Sequence, residues 1–172
     1  VVPTGDYETQ ARMLDEISKL DHVTSVLGIA SVKVAGDYRL SDKLSIAEFS
    51  ELAGLDDTTA SALFVFYAAR HADYDQVQSN MREYKVPLID LFLFLHDIAE
   101  EGSIELSQDK LDMIDSLYAQ LADAKAQLQG EHYSRMLVYS DTPVQSDESY
   151  ALISEIHGIA GQYYGGDVYV TG

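Results

Sequence analysis

The chain has 172 residues and a mass of 19.0 kDa, enough for one domain or for one domain with a sizeable insertion. Apolar residues make up 47%, which excludes a disordered tail, and 29 Asp and Glu against 11 Lys and Arg give a formal net charge of −18, a surface that repels phosphate backbones and anionic headgroups. Cysteine is absent, which removes disulfides, thiolate zinc sites, iron–sulfur clusters and cysteine nucleophiles.

In chain order, Val1-Val2-Pro3 reads as the end of a strand and Thr4-Gly5-Asp6 as a turn and helix cap. Tyr7, Ala11, Leu14, Ile17 and Leu20 recur at helical spacing and predict an amphipathic helix over 6–20. The β-branched run from Val23 to Ile29 predicts a strand, so the chain opens β-α-β. From Lys33 to Gly130 the signals turn helical. Helices are expected over 45–53, ended by Gly54, over 57–71, capped by Asp56 or Asp57, and over 74–84. The next, 86–101, has Pro87 in its first turn and is apolar nearly all round, which predicts burial on most sides. The longest runs over 107–129 with Leu111, Ile114, Leu117, Leu121, Ala124 and Leu128 as its stripe. The β pattern returns at Tyr133–Ser140, with Met136 and Val138 on one face and Leu137 and Tyr139 on the other. A helix over 146–164 follows, with Tyr150, Ile153, Ile156 or His157, and Ala160 turned inward, and Asp167–Thr171 is the last predicted strand.

The outer segments therefore spell β-α-β twice, the order of a ferredoxin-like split fold in the α+β class. The predicted layout is a first half over 1–32, an inserted helical bundle over 33–130 and a second half over 131–172. Loop closure costs grow slowly with length, so an insertion of this size is tolerable. The longest unbroken apolar run, Ala62–Ala69, is far short of the roughly 20 residues that cross a bilayer. The absence of an initial methionine and the strand-like end suggest a fragment of a longer protein.

Residues 46–63 mimic a helix-turn-helix, but the stretch between Lys43 and Arg70 has no basic residue and four acids, Glu48, Glu51, Asp56 and Asp57. Such a recognition helix would be pushed off DNA, so nucleic acid is not expected as a partner. The five histidines, His22, His71, His96, His132 and His157, form no His-Glu-x-x-His or His-x-His pair, and their spacing supplies no zinc ligand set. The acid sets Asp97/Glu100/Glu101 and Asp109/Asp112/Asp115 read as solvated helix faces. No nucleophile elbow or phosphate loop occurs; Gly161–Gly166 is not one. Phe64, Phe66, Phe92 and Phe94 read as core. No catalytic, cofactor-binding or metal residue is assigned, and no cofactor is expected.

Several segments resemble, in order, the large extracytoplasmic loop of exporters of the resistance-nodulation-division superfamily, and in particular its MMPL branch (mycobacterial membrane protein large). They are Pro3-Thr4-Gly5-Asp6-Tyr7, Val23–Gly28, Phe49–Leu55, Val86–Phe94, Ala124–Arg135 and Gly166–Gly172. The resemblance spans nearly the whole chain, and the order of its segments carries more weight than any one of them. It implies a non-enzymatic porter subdomain on the extracytoplasmic side of a bacterial cell membrane. Its partners would be the transmembrane domain and a sister porter subdomain of the same transporter, with a homo-oligomer as a further option. Its cargo would be a hydrophobic drug or lipid-like molecule, at unidentified residues. Proton movement through acidic residues of the membrane helices would drive export, and none of those residues lies in this chain. One face of the Tyr133–Ser140 strand would stay open for the sister subdomain. The alternative is a free-standing soluble interaction or sensor domain; an acidic hydrolase is a third class.

Overall fold

The computed structural model describes residues 1–34 and 37–172; Gly36, the start of a second Gly-Asp-Tyr after that at 5–7, lies outside them. In chain order the elements are β1 (Val2–Pro3), α1 (Tyr7–Ile17), β2 (Val23–Leu27), a 3-10 turn (Ile29–Ser31), β3 (Lys43–Leu44), α2 (Ile46–Ala53), α3 (Asp57–Arg70), α4 (Tyr74–Asn80), β4 (Val86–Pro87), α5 (Leu88–Glu100), α6 (Gln108–Leu128), β5 (Tyr133–Ser134), β6 (Leu137–Ser140) and α7 (Asp147–Tyr164). The protein is α+β. Its strands form three two-stranded antiparallel sheets among the described residues, β1 with β5, β2 with β6 and β3 with β4, and do not join into one four-stranded sheet. Among those residues no helix is long and apolar enough to cross a membrane. The chain divides into two compact units, one of Val1–Lys33 with Asp123–Gly172 and one of Val34–Ala122.

Side-chain caps fix where most helices start. Asp6 accepts from the Thr9 N–H at 3.0 Å ahead of α1, and Asp56 accepts from the Thr59 N–H at 2.9 Å ahead of α3. Ser45 and Glu48 bond each other's backbone N–H at the start of α2, and Ser146 and Ser149 do the same at α7. Gly54 ends α2 at φ +60°, a conformation that costs glycine little, and the Lys110 ammonium donates to the Ala53 carbonyl there at 2.9 Å.

In the Val34–Ala122 unit, α5 is the centre. Leu88, Ile89, Leu91, Phe92, Phe94, Leu95 and Ile98 are all buried, each worth roughly 1.5–3 kcal/mol of apolar burial. Phe49 meets Phe92 edge-on at 5.8 Å and Phe64 at 6.2 Å. Pro87 caps this helix instead of entering its first turn. Val86 and Pro87 pair with Leu44 and Lys43, and the orphan N–H groups of Leu88 and Ile89 donate to the Asp42 and Leu40 carbonyls at 2.8 and 3.0 Å. Phe66 is not core: it is 41% exposed, because Ala60, Leu63, Phe64, Tyr67 and Ala68 define the buried side of α3 and position 66 falls opposite.

In the other unit, α1 and α7 supply Met13, Ile17, Leu152, Ile156 and Ala160 to a core shared with Val2 and Val168. Of the expected inner stripe of α7, Ile156 and Ala160 are buried and Ile153 is half-buried, with Ile156 rather than His157 turned inward; Tyr150 is 60% exposed, and Leu152 is buried near that end instead. The strand expected over 133–140 is broken, because the chain changes partner. Ser134 pairs with Val2, the Arg135 N–H then leaves the ladder for the Leu128 carbonyl at 2.7 Å, and Leu137 starts a new ladder opposite Leu27. The expected last strand is reduced to one reciprocal pair of backbone bonds, Val1 to Tyr169 at 2.8 and 3.0 Å. Val26 and Val138 pack toward the core, and the opposite face of β2–β6 presents Leu27 and Tyr139 to solvent, with Leu137 half-buried between them.

Candidate functional site

The Val1–Lys33 and Asp123–Gly172 unit contains a cleft of about 540 Å³, within the range of small-molecule sites. The β1 segment contributes Val1 and Val2, and four further segments build the rest. Met13 and Ile17 come from α1, Met136 and Val138 from the β6 region, Leu152, Ile153, Ile156 and Ala160 from α7, and Val168 and Val170 from the segment after α7. Its mouth carries Ser140, Thr142, Gln145, Ser149 and Tyr150. Helical spacing on α7 turns Ile153 and Ile156 to one side, and strand alternation puts Met136 and Val138 on one face, which is why these residues converge. Although the chain has 29 acids, none lines the cleft; its one charged side chain is Arg135, whose guanidinium donates to the Gln127 carbonyl at 2.6 Å. The cleft therefore offers apolar walls, neutral side-chain donors and acceptors and one guanidinium, with no Asp, Glu or His side chain in its lining.

The residues singled out in the sequence scatter. His22 bonds the Asp141 carboxylate at 3.0 Å on the surface, and His71 bonds the Tyr67 carbonyl at 2.8 Å while stacked on the Tyr67 ring at 3.9 Å. His132 and His157 are exposed. The pair α2–α3 is a capped helical hairpin whose acids serve as caps: Glu48 for Ser45 and Asp56 for Thr59, each held below the usual carboxylate range chiefly by those backbone N–H bonds. Tyr67 and Tyr84 are pushed up by burial and by Asp90 and Asp73, which accept their hydroxyls at 3.2 Å; Tyr84 reaches about 12. These tyrosines serve the core as hydrogen-bonded phenols.

Comparison with protein-family models, with curated proteins and with solved structures finds no match to this chain. The site is thus read from its own chemistry.

Two groupings escape the sequence. The cleft joins residues from both ends of the chain, and only the alternation at 136–139 hinted at it. One member of each acid set meets the third histidine: ligand atoms of His96, Glu100 and Asp115 lie within 4.8 Å of one another. The His96–Glu100 spacing of one helical turn was a visible signal, whereas Asp115 comes from another helix.

Proposed function

We propose that this chain is a non-catalytic, extracytoplasmic porter-type domain of a proton-driven exporter of the resistance-nodulation-division superfamily, of the MMPL type, and that its cleft holds hydrophobic drug- or lipid-like cargo. The apolar cleft carries the reading, because a −18 chain that keeps every Asp and Glu side chain out of one recess of about 540 Å³ offers apolar matter a place that water-facing surface does not. The finer fold reading is an opened ferredoxin-like porter unit. In that topology the second and third strands pair antiparallel, as β2 and β6 do, and the first and fourth do likewise, as Val1 and Tyr169 do. The cleft, lined by Val2 and Val138, falls where the central pair would close. The outward Leu27 and Tyr139 suit a face for a sister subdomain.

Two measurements test this. Titration with the apolar fluorophore N-phenyl-1-naphthylamine should saturate at one site, and Ile153→Glu should weaken it by about tenfold or more, since a carboxylate desolvated in the recess is costly. Unchanged binding in that variant sinks the cargo site. The parent reading frame should encode runs of roughly 20 apolar residues on both sides of this segment. Flanks without them remove the exporter and leave a soluble interaction domain.

A further inference from the structure

We infer that His96, Glu100 and Asp115 form a site for a divalent first-row transition metal, with zinc the ion their donors suit. The inference rests on the Val34–Ala122 unit alone and is independent of the transport reading.

His96 and Glu100 stand one turn apart on α5, and Asp115 reaches them from α6. His96 Nε2 lies 3.8 Å from Asp115 Oδ1. Two donors bonded to zinc at ~2.1 Å in tetrahedral geometry stand about 3.4 Å apart. Closing that pair takes a few tenths of an ångström, and the exposed Asp115 carboxylate is free of packing that would resist it.

The imidazole is held ready. It stacks on Tyr118 at 3.6 Å with the rings 8° from parallel, and its side chain is 17% exposed. Tyr118 follows Asp115 by one turn on α6, so a single helix supplies both a ligand and the platform that orients the ring. His96 Nδ1 is buried and has no hydrogen-bond partner; the nearest carboxylate oxygen, on Asp97, is 3.6 Å away. A buried ring nitrogen left unmet is costly. Metal on Nε2 would place the proton on Nδ1, facing Asp97, the carboxylate–histidine–metal arrangement that orients such ligands.

The local field favours a cation as well. The cluster sits at the C-terminal end of α5, the negative pole of the helix, and no basic residue occupies its last turn. The nearby guanidinium of Arg70 is bound to Glu101 at 2.7 Å. Two carboxylates and a neutral imidazole balance a divalent charge and leave coordination positions for water or a ligand. The nitrogen donor selects against magnesium and calcium, which prefer oxygen alone.

Calorimetric titration of the full chain with zinc chloride should give one site. Glu100→Gln and Asp115→Asn, both at exposed positions, should each weaken it about tenfold or more, as should Asp97→Asn. Asp109→Asn, on the same helix but outside the cluster, should leave it unchanged. X-ray absorption of the zinc complex should show one imidazole nitrogen among oxygens. Zinc affinity that is unaltered in Glu100→Gln and Asp115→Asn, or magnesium binding as tight as zinc, would overturn the inference and leave diffuse attraction to an acidic surface. Should His96→Ala misfold through loss of the Tyr118 stack, the two exposed variants still decide.

Discussion

In the Val34–Ala122 unit, Phe49, Leu63, Phe64, Leu88 and Leu91 have no exposed surface, and aromatic rings meet edge to face through the interior. In the unit made from both ends of the chain, Leu20, Val23, Val138, Ile159 and Val170 pack against the core and stay half-buried. The first arrangement converts apolar side chains into stability by filling space. The second leaves part of its apolar surface facing a recess, where it is available to something else. Strand length explains much of the difference. Helices of 13 and 14 residues can close around one another, while strands of two to five residues cannot cover two helices.

The sharpest way to break this contrast is a pair of truncations. Phe49→Ala should cost about 3–5 kcal/mol, the cost of a cavity in a close-packed core, and lower the denaturation midpoint accordingly. Ile153→Ala should cost less than ~1.5 kcal/mol, because its side chain already borders open space. Equal losses would mean that the cleft is as tightly packed as the aromatic core. Next in size are the caps, which both units share. Ser45→Ala and Ser146→Ala should each cost about 1 kcal/mol in chemical denaturation, since each leaves an N–H of a first helical turn without its acceptor. A large asymmetry between them would show that one unit unfolds before the other.

The alkaline limb sharpens the contrast further. Burial, then Asp73, lifts the Tyr84 phenol to about 12, whereas in the unfolded chain it ionises near ~10. Its contribution is complete below ~10 and is lost as pH rises toward 12. Melting temperatures recorded across this window should fall for the parent chain and fall less for Tyr84→Phe. The smallest effect belongs to Glu48, whose carboxyl is lowered first by the Ser45 backbone N–H. Its stabilisation is present above the ordinary glutamate value and disappears as pH drops through the lowered one. Glu48→Gln should flatten that part of the acid limb, only slightly because the group is solvent-screened.

The helices were legible because their ends are written in local chemistry. Asp6, Ser45, Asp56 and Ser146 begin them, and Gly54 ends one by adopting a left-handed backbone. The α+β class followed from the change of period at both ends of the chain. Phe66 misled because α3 is apolar on more than one side, so composition could not say which side would be covered. The break at Arg135 was invisible, since the signal for Tyr133–Ser140 is continuous and the change of partner is set by distant residues, Val2 and Leu27. The cleft and the His96 cluster escaped for the same reason. Each joins elements whose approach depends on how helices and strands pack, and spacing within one element encodes only half of such a meeting.

The β2–β6 ribbon has two rims and no interior strand. Each rim carries backbone donors and acceptors able to zip onto another extended chain, and Leu27 with Tyr139 lends the same ribbon an exposed oily flank. Long-range repulsion between copies that each bear −18 opposes such zipping, and that repulsion fades beyond a Debye length of about 8 Å at physiological ionic strength. Repulsion of this kind weakens as salt rises, so pairing between copies through the ribbon should grow with ionic strength.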